Sequence, residues 1–283
     1  MTGQLASAVL MDRESVKVMA RRNHRSAATV RRHIRQAFRT VVTGPMSLSL
    51  PDGELVLVMD GLWAVLRGRR WVLYNMALKP AGSNTAWFLA PHLRAGHEGV
   101  RGWEEALETI PVELGKRIRA VVSDGIPGIA GLLQRHGWLS QLCHRHLLSA
   151  LDIRLGPPRR QRVRQQPGRG IRTAILELLA CGDDGRATAL CDELLWLCSH
   201  PNCTAGLRST VRNLVKHQQA YRTYLRYPEL TLPITTNAVE SMHGLLRKGI
   251  STANSPETLL LRAQTYLRLR QKITCNGAHF QQN

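Results

Sequence analysis

Two short apolar runs, each closed by Asp-Gly, constrain this chain most. Residues 54–60 read ELVLVMD and residues 119–124 read RAVVSD, with Gly61 and Gly125 following. Runs of this length, rich in β-branched and aliphatic side chains, are expected to form buried strands. Both then end on a carboxylate. If the two strands lie side by side and run parallel, Asp60 and Asp124 meet at one edge of the sheet, where loops leave room for a ligand. A glycine after each acid leaves space for a phosphate backbone to approach.

The intervening segments predict how such a sheet is assembled. LWAVLRG and RRWVLYNMALK follow the first run, joined by a tight turn at 68–70. Together with the first run they predict a three-stranded antiparallel meander. A helix is expected near 84–95 and another across 103–117. The strand ending at Asp124 follows, then a helix at 126–136 and a short strand at 138–142. This β-β-β-α-β-α-β order is that of a ribonuclease H-like core, an α/β fold with a mixed five-stranded sheet and helices. Residues 172–226 carry apolar residues at helical spacing throughout, and two closing helices fit 237–249 and 255–273. The expected division is a helical region over 1–45, the first part of the core over 50–153, a basic loop and all-α insertion over 154–235, and core helices over 236–283.

Charge points to the partner. Lys and Arg number 39 against 20 Asp and Glu, a formal net charge of +19. Such a field draws polyanions to the surface, and neutralised phosphates release counterions, so DNA or RNA is the natural partner. Two segments concentrate the charge. The helix after Ser26, a good N-cap, directs Ala28, Ile34 and Phe38 inward and Arg31, Arg32, Arg35 and Arg39 outward. It reads either as the recognition helix of a helix-turn-helix or as an amphipathic helix with a solvated basic face. Residues 154–172 hold arginines at 154, 159, 160, 162, 164, 169 and 172 and no acid. Arg159, Arg160, Arg162 and Arg164 there are candidates for binding phosphate. The apolar runs are all short of a membrane-spanning length, and the start lacks the pattern of a secretory signal. Six cysteines without a secreted framework spacing fit a reducing interior, and the cytoplasm is expected, beside the nucleoid.

Two acids held together repel unless a cation lies between them, and hard oxygen donors select Mg²⁺ or Mn²⁺. A pair of such ions activates a water or 3′-hydroxyl and stabilises the leaving oxygen. Glu240, in TTNAVESMHGLLRK, is the candidate third ligand. Asn237 and Glu240 also have the spacing of a capping box, a purely local role. Arg247 shares the face of Glu240 and can hold a phosphate.

Three blocks carry a family likeness: VMDGLWAVL with Asp60, AVVSDGIPGIAGLL with Asp124 followed by QLCHRH, and TTNAVESMHGLLR with Glu240. In this order they resemble the Mutator-like DDE transposases and their bacterial insertion-sequence relatives, over about residues 50–273. The resemblance implies that Asp60, Asp124 and Glu240 are the catalytic metal ligands, and that a Cys-x-x-His follows the second Asp, here Cys143 and His146. It implies a helical insertion that touches DNA, cleavage at transposon ends, attack of the freed 3′-hydroxyl on target DNA, and a dimer or larger assembly on DNA. Trp196 either stacks on an exposed base in that insertion or packs in its core. The short stretch before Asp60 leaves recognition of the ends open. Cys143 and His146 are expected to pack or hydrogen-bond beside the active site, with His146 near the scissile phosphate. A zinc site joining them to Cys198, His200 and Cys203 is the other arrangement their chemistry allows. His243 either approaches the same site or is solvated.

Overall fold

The computed structural model describes residues 2–44, 50–155 and 168–274. Its centre is a mixed sheet of seven strands: β1 (Leu55–Leu66), β2 (Arg69–Pro80), β3 (Thr85–Phe88), β4 (His92–Ala95), β5 (Ile118–Ser123), β6 (Leu139–Leu142) and β7 (Lys272–Thr274). The order is β6-β5-β1-β2-β3-β7, with β4 pairing the far half of β2. β1, β5 and β6 run parallel, and β2 turns back antiparallel to β1.

Side-chain alternation along β1 sorts the two faces. Val56, Val58 and Leu62 point to one core, with Val122, Met242, Leu246 and Tyr266. Leu55, Leu57 and Met59 point to the other, with Tyr74, Trp103 and Leu132. Asp60 falls on the first face, and Gly61 on the second.

The helices follow from this burial. α1 (Thr2–Leu10), α2 (Val16–Arg22) and α3 (Ala27–Thr43) precede the sheet. Ser26 caps α3 by accepting the Thr29 N–H, as its sequence suggests. Val30, Ile34 and Phe38 of α3 belong to the same core as the first face of the sheet. On the second face lie α4 (Val100–Leu107), α5 (Val112–Gly115) and α6 (Ile129–Arg135). α7 (His144–Leu155), α8 (Gly168–Ala180), α9 (Asp184–Ser199), α10 (Ala205–Tyr221) and α11 (Thr223–Arg226) follow β6. α7 to α10 enclose a separate apolar core that includes Leu151, Ile175, Leu194 and Leu214. This bundle is tied to the edge strand β6: Thr223 Oγ1 donates to the Ser140 carbonyl (2.6 Å), and Gln141 Nε2 to the Tyr221 carbonyl (3.0 Å). α12 (Asn237–Ile250) and α13 (Pro256–Arg270) then return to the first face.

Several expectations need correction. The sheet has seven strands, not five. ELVLVMD and LWAVLRG form one twelve-residue strand, so Asp60 lies inside β1 and not at its end. The turn is Arg67-Gly68, both at positive φ, as a two-residue hairpin requires; Arg69 and Arg70 already belong to β2. The expected helix at 84–95 is two strands, because Pro91 would remove a helical hydrogen bond and clash within its turn. The helix across 103–117 breaks before Pro111 into α4 and α5. The closing helix stops at Arg270, where Gln271 takes a positive φ and β7 begins. Ala28 is exposed, while Val30 and Ala37 join Ile34 and Phe38 in the interior.

Candidate active site

The three parallel strands place the acids. Val58 pairs with Val122, so Asp60 and Asp124 stand two residues further along neighbouring strands, on the same face. β6 ends one strand further out; the Cys143 N–H bonds the Ser123 carbonyl at 2.8 Å, and α7 starts there with His144, Arg145 and His146. Suitable ligand atoms of Asp60, Asp124 and His146 lie within 4.8 Å of one another. The two aspartates converge although β1 runs on past Asp60.

α12 closes the site from the first face. Its Val239, Met242 and Leu246 are buried, which leaves Glu240 and His243 facing the strand ends. Glu240 is held by three neighbours: the Thr236 hydroxyl donates to Oε1 (2.8 Å), Arg145 Nε lies 3.1 Å from Oε2, and His146 Nδ1 lies 3.7 Å from Oε1. Glu240 therefore meets the aspartates through His146. The capping box is absent. Thr236 is the N-cap and makes no side-chain cap bond, and Asn237 Oδ1 instead accepts from Arg145 (2.8 Å). His243 is buried, with Nδ1 3.6 Å from Asp60 Oδ2. Its Nε2 accepts from Asn75 Nδ2 at 3.0 Å, which puts the ring proton on Nδ1, toward Asp60. Asn75 is the cross-strand partner of Asp60.

Electrostatics match this crowding. Burial above all, aided by Asp124, Glu240 and Glu98 and opposed by His146, raises the Asp60 carboxyl from 3.8 to about 7. Burial also raises Asp124, against the pull of His146. His146 rises to about 9: its close polar contact with Cys143 and the charges of Cys143, Asp60 and Glu240 outweigh burial. Burial would raise Cys143, but the contacts with His146 and Thr236 prevail and lower it. Burial, with Arg247 and His146 nearby, lowers His243 to about 4. At neutral pH a protonated His146 thus sits among the acids, and His243 beside them is neutral.

Glu98, just before α4, is a fourth acid that sequence patterns did not reveal. A Cβ on Gly61 would fall 2.4 Å from its carboxylate, so the space beside Asp60 is filled by Glu98 and not left for a phosphate. Trp103 Nε1 donates to Glu98 Oε1 at 3.0 Å. Burial, with Asp124 adding to it, brings Glu98 to about 7. Its only sequence signal is an acid close before the buried Trp103. Gly125 is likewise enclosed: its φ is +79°, and a Cβ would meet Leu142 at 2.7 Å.

Arg247 is exposed on α12, near enough to His243 to help lower it. The remaining candidates lie elsewhere. Arg31, Arg32, Arg35 and Arg39 are exposed along α3. Lys17, Arg21, His24, Arg25 and Arg31 line a cleft of about 710 Å³ between α2 and α3. Trp196 is 73% exposed, so the core alternative fails for it. Cys198 and Cys203 pack in the helical core, and no metal-sized group among the described residues joins them to Cys143 and His146. Arg159, Arg160, Arg162 and Arg164 lie outside the described residues. No helix of the described residues is long and apolar enough to cross a membrane.

Comparison with known proteins leaves the family undecided. No family model matches the chain, and no curated protein matches it. Among solved structures, the Drosophila P element transposase strand transfer complex superposes with a TM-score of 0.45 and 10% identity, over 95% of this chain and 92% of that one. A superposition that loose carries no argument about this chain.

Proposed function

We propose that this chain is a DDE transposase of the Mutator-like kind, with a ribonuclease H-like core interrupted by an all-α insertion. In this reading Asp60, Asp124 and Glu240 hold two Mg²⁺ or Mn²⁺ ions. The observation that carries the proposal is the meeting of Asp60, Asp124 and His146 at the parallel strand ends, with Glu240 on the far side of His146. The donor set fits such ions: buried carboxylate oxygens that repel one another are relieved by a hard cation. Bound there, the ions would activate a water or 3′-hydroxyl and stabilise the leaving oxygen.

The chain's own groups supply the rest. His243, fixed by Asn75, orients the Asp60 carboxylate. His146 carries a proton toward the reacting phosphate and neutralises its charge. Arg145 releases Glu240 to the aspartates as it turns to a phosphate, for which guanidinium is a suited donor. The arginines of α3 and the basic cleft beside it track the DNA backbone, and Trp196 offers an open ring face to a base. Joining two ends calls for at least two copies.

The test is cleavage and strand transfer of transposon-end DNA with Mg²⁺ or Mn²⁺. Wild type is expected to do both, and Asp60→Asn and Asp124→Asn neither; activity that survives those substitutions removes this mechanism. One observation favours a second reading, a DNA-binding relative that does not cut: Glu240 is engaged by Arg145 and Thr236. That reading expects salt-sensitive binding and no cleavage. Cleavage without strand transfer would mark a nuclease or resolvase.

A further inference from the structure

Beside the aspartates lies a second ligand group. Cys143 Sγ, a nitrogen of His146 and a carboxylate oxygen of Glu240 all lie within 4.8 Å of one another. Two details point to a ligand and not to packing. His146 Nδ1 is shut off from solvent, has no aligned hydrogen bond, and stands 3.7 Å from Glu240 Oε1. That is long for a hydrogen bond. It is close to the roughly 3.3 Å that separates two ligand atoms bound about 2.0 Å from one tetrahedral ion. The sulfur, in turn, accepts the Thr236 N–H at 3.3 Å. Hydrogen bonds to a sulfur are outer-shell contacts that orient and tune a metal thiolate.

We propose that Cys143, His146 and Glu240 form a second cation site, which takes a soft divalent ion of the zinc class and leaves its fourth position to water. Thiolate and imidazole favour Zn²⁺ or Co²⁺ over Mg²⁺, and three protein ligands with one open position is a recurring zinc arrangement. The buried sulfur forms the floor of the site, while the partly exposed His146 and Glu240 form its mouth. Filling it holds Glu240 away from the aspartates, so zinc would inhibit a reaction that needs Glu240 there. That consequence rests on the function proposed above; the binding itself does not.

The experiment is a Co²⁺ titration of the full chain, free of other divalent ions, read by the near-ultraviolet absorption of a cobalt–thiolate bond. Wild type and Asp60→Asn are expected to show the band, Zn²⁺ to abolish it by displacement, and Cys143→Ser to lack it. No band in wild type, or an undiminished band in Cys143→Ser, overturns the proposal. Should Cys143→Ser fail to fold, His146→Asn and Glu240→Gln, which keep the thiol, are each expected to weaken Co²⁺ binding at least about ten-fold; unchanged affinity in both overturns it. Mn²⁺-dependent cleavage run in parallel separates the two ideas. Cleavage without a wild-type band sinks only the second site, and a band without cleavage sinks only the transposase reading.

Discussion

Asp60 is the residue whose environment most exceeds its local sequence. Its carboxyl ionises near 7 in the folded chain against 3.8 as a free group, first because it is buried. Folding therefore favours its protonated form. The stability it contributes is complete below about pH 4 and is lost as pH climbs toward 7. In urea unfolding without divalent ions, Asp60 by itself is expected to lower stability by on the order of 2 kcal/mol between pH 5 and pH 8, with Glu98 and His146, also raised, adding falls of the same sign. Asp60→Asn should make the total fall shallower by that amount, and an unchanged slope in the variant would contradict the assignment. Gly61 makes a second expectation. Alanine there would drive its Cβ into the Glu98 carboxylate, so Gly61→Ala should weaken Mn²⁺ binding about ten-fold or more; calorimetry showing wild-type affinity would refute this. The Asp-Gly pairs are legible along the chain because each closes an apolar run, although β1 continues through Asp60 and Gly61. Glu98 and Thr236 are not, since only the packing of α4 and α12 brings them to the site.

Among the elements, α3 is tied into the body of the molecule. Phe38 is buried in the core it shares with the sheet and α13, and Arg268 bonds the Val41 carbonyl at the end of α3 (3.1 Å). Phe38→Ala should cost about 3–5 kcal/mol and lower the melting temperature of the whole sheet, followed by circular dichroism. Separate melting of an N-terminal unit would contradict the shared core. The parallel strands are legible because an unbroken apolar run has few other uses. Residues 84–95 mislead toward a helix: Ala86, Leu89, Ala90 and Leu93 have a helical spacing, and only pairing with β2 and the break at Pro91 decides for strands. The N-cap of α12 misleads for a similar reason, because Arg145 from α7 takes Asn237 away from it.

For the molecule as a whole, charge and shape act together. A net charge of +19, with four arginines exposed along α3 and a basic cleft beside it, should give DNA affinity that falls steeply with salt. Replacing Arg31, Arg32, Arg35 and Arg39 together by alanine is expected to make the log–log salt slope shallower by up to about 3.6, near 0.9 for each phosphate that is no longer neutralised. Fluorescence anisotropy with labelled duplex measures it, and an unchanged slope would move the DNA to another face. Divalent metal between Asp60 and Asp124 is the feature on which the chemistry depends, and anomalous scattering from crystals soaked in Mn²⁺ near pH 8 would locate it. The expected result is manganese bound between the carboxylates of Asp60 and Asp124. Manganese bound only elsewhere, or none at all at a concentration that supports cleavage, would rule out a metal-dependent site at these aspartates.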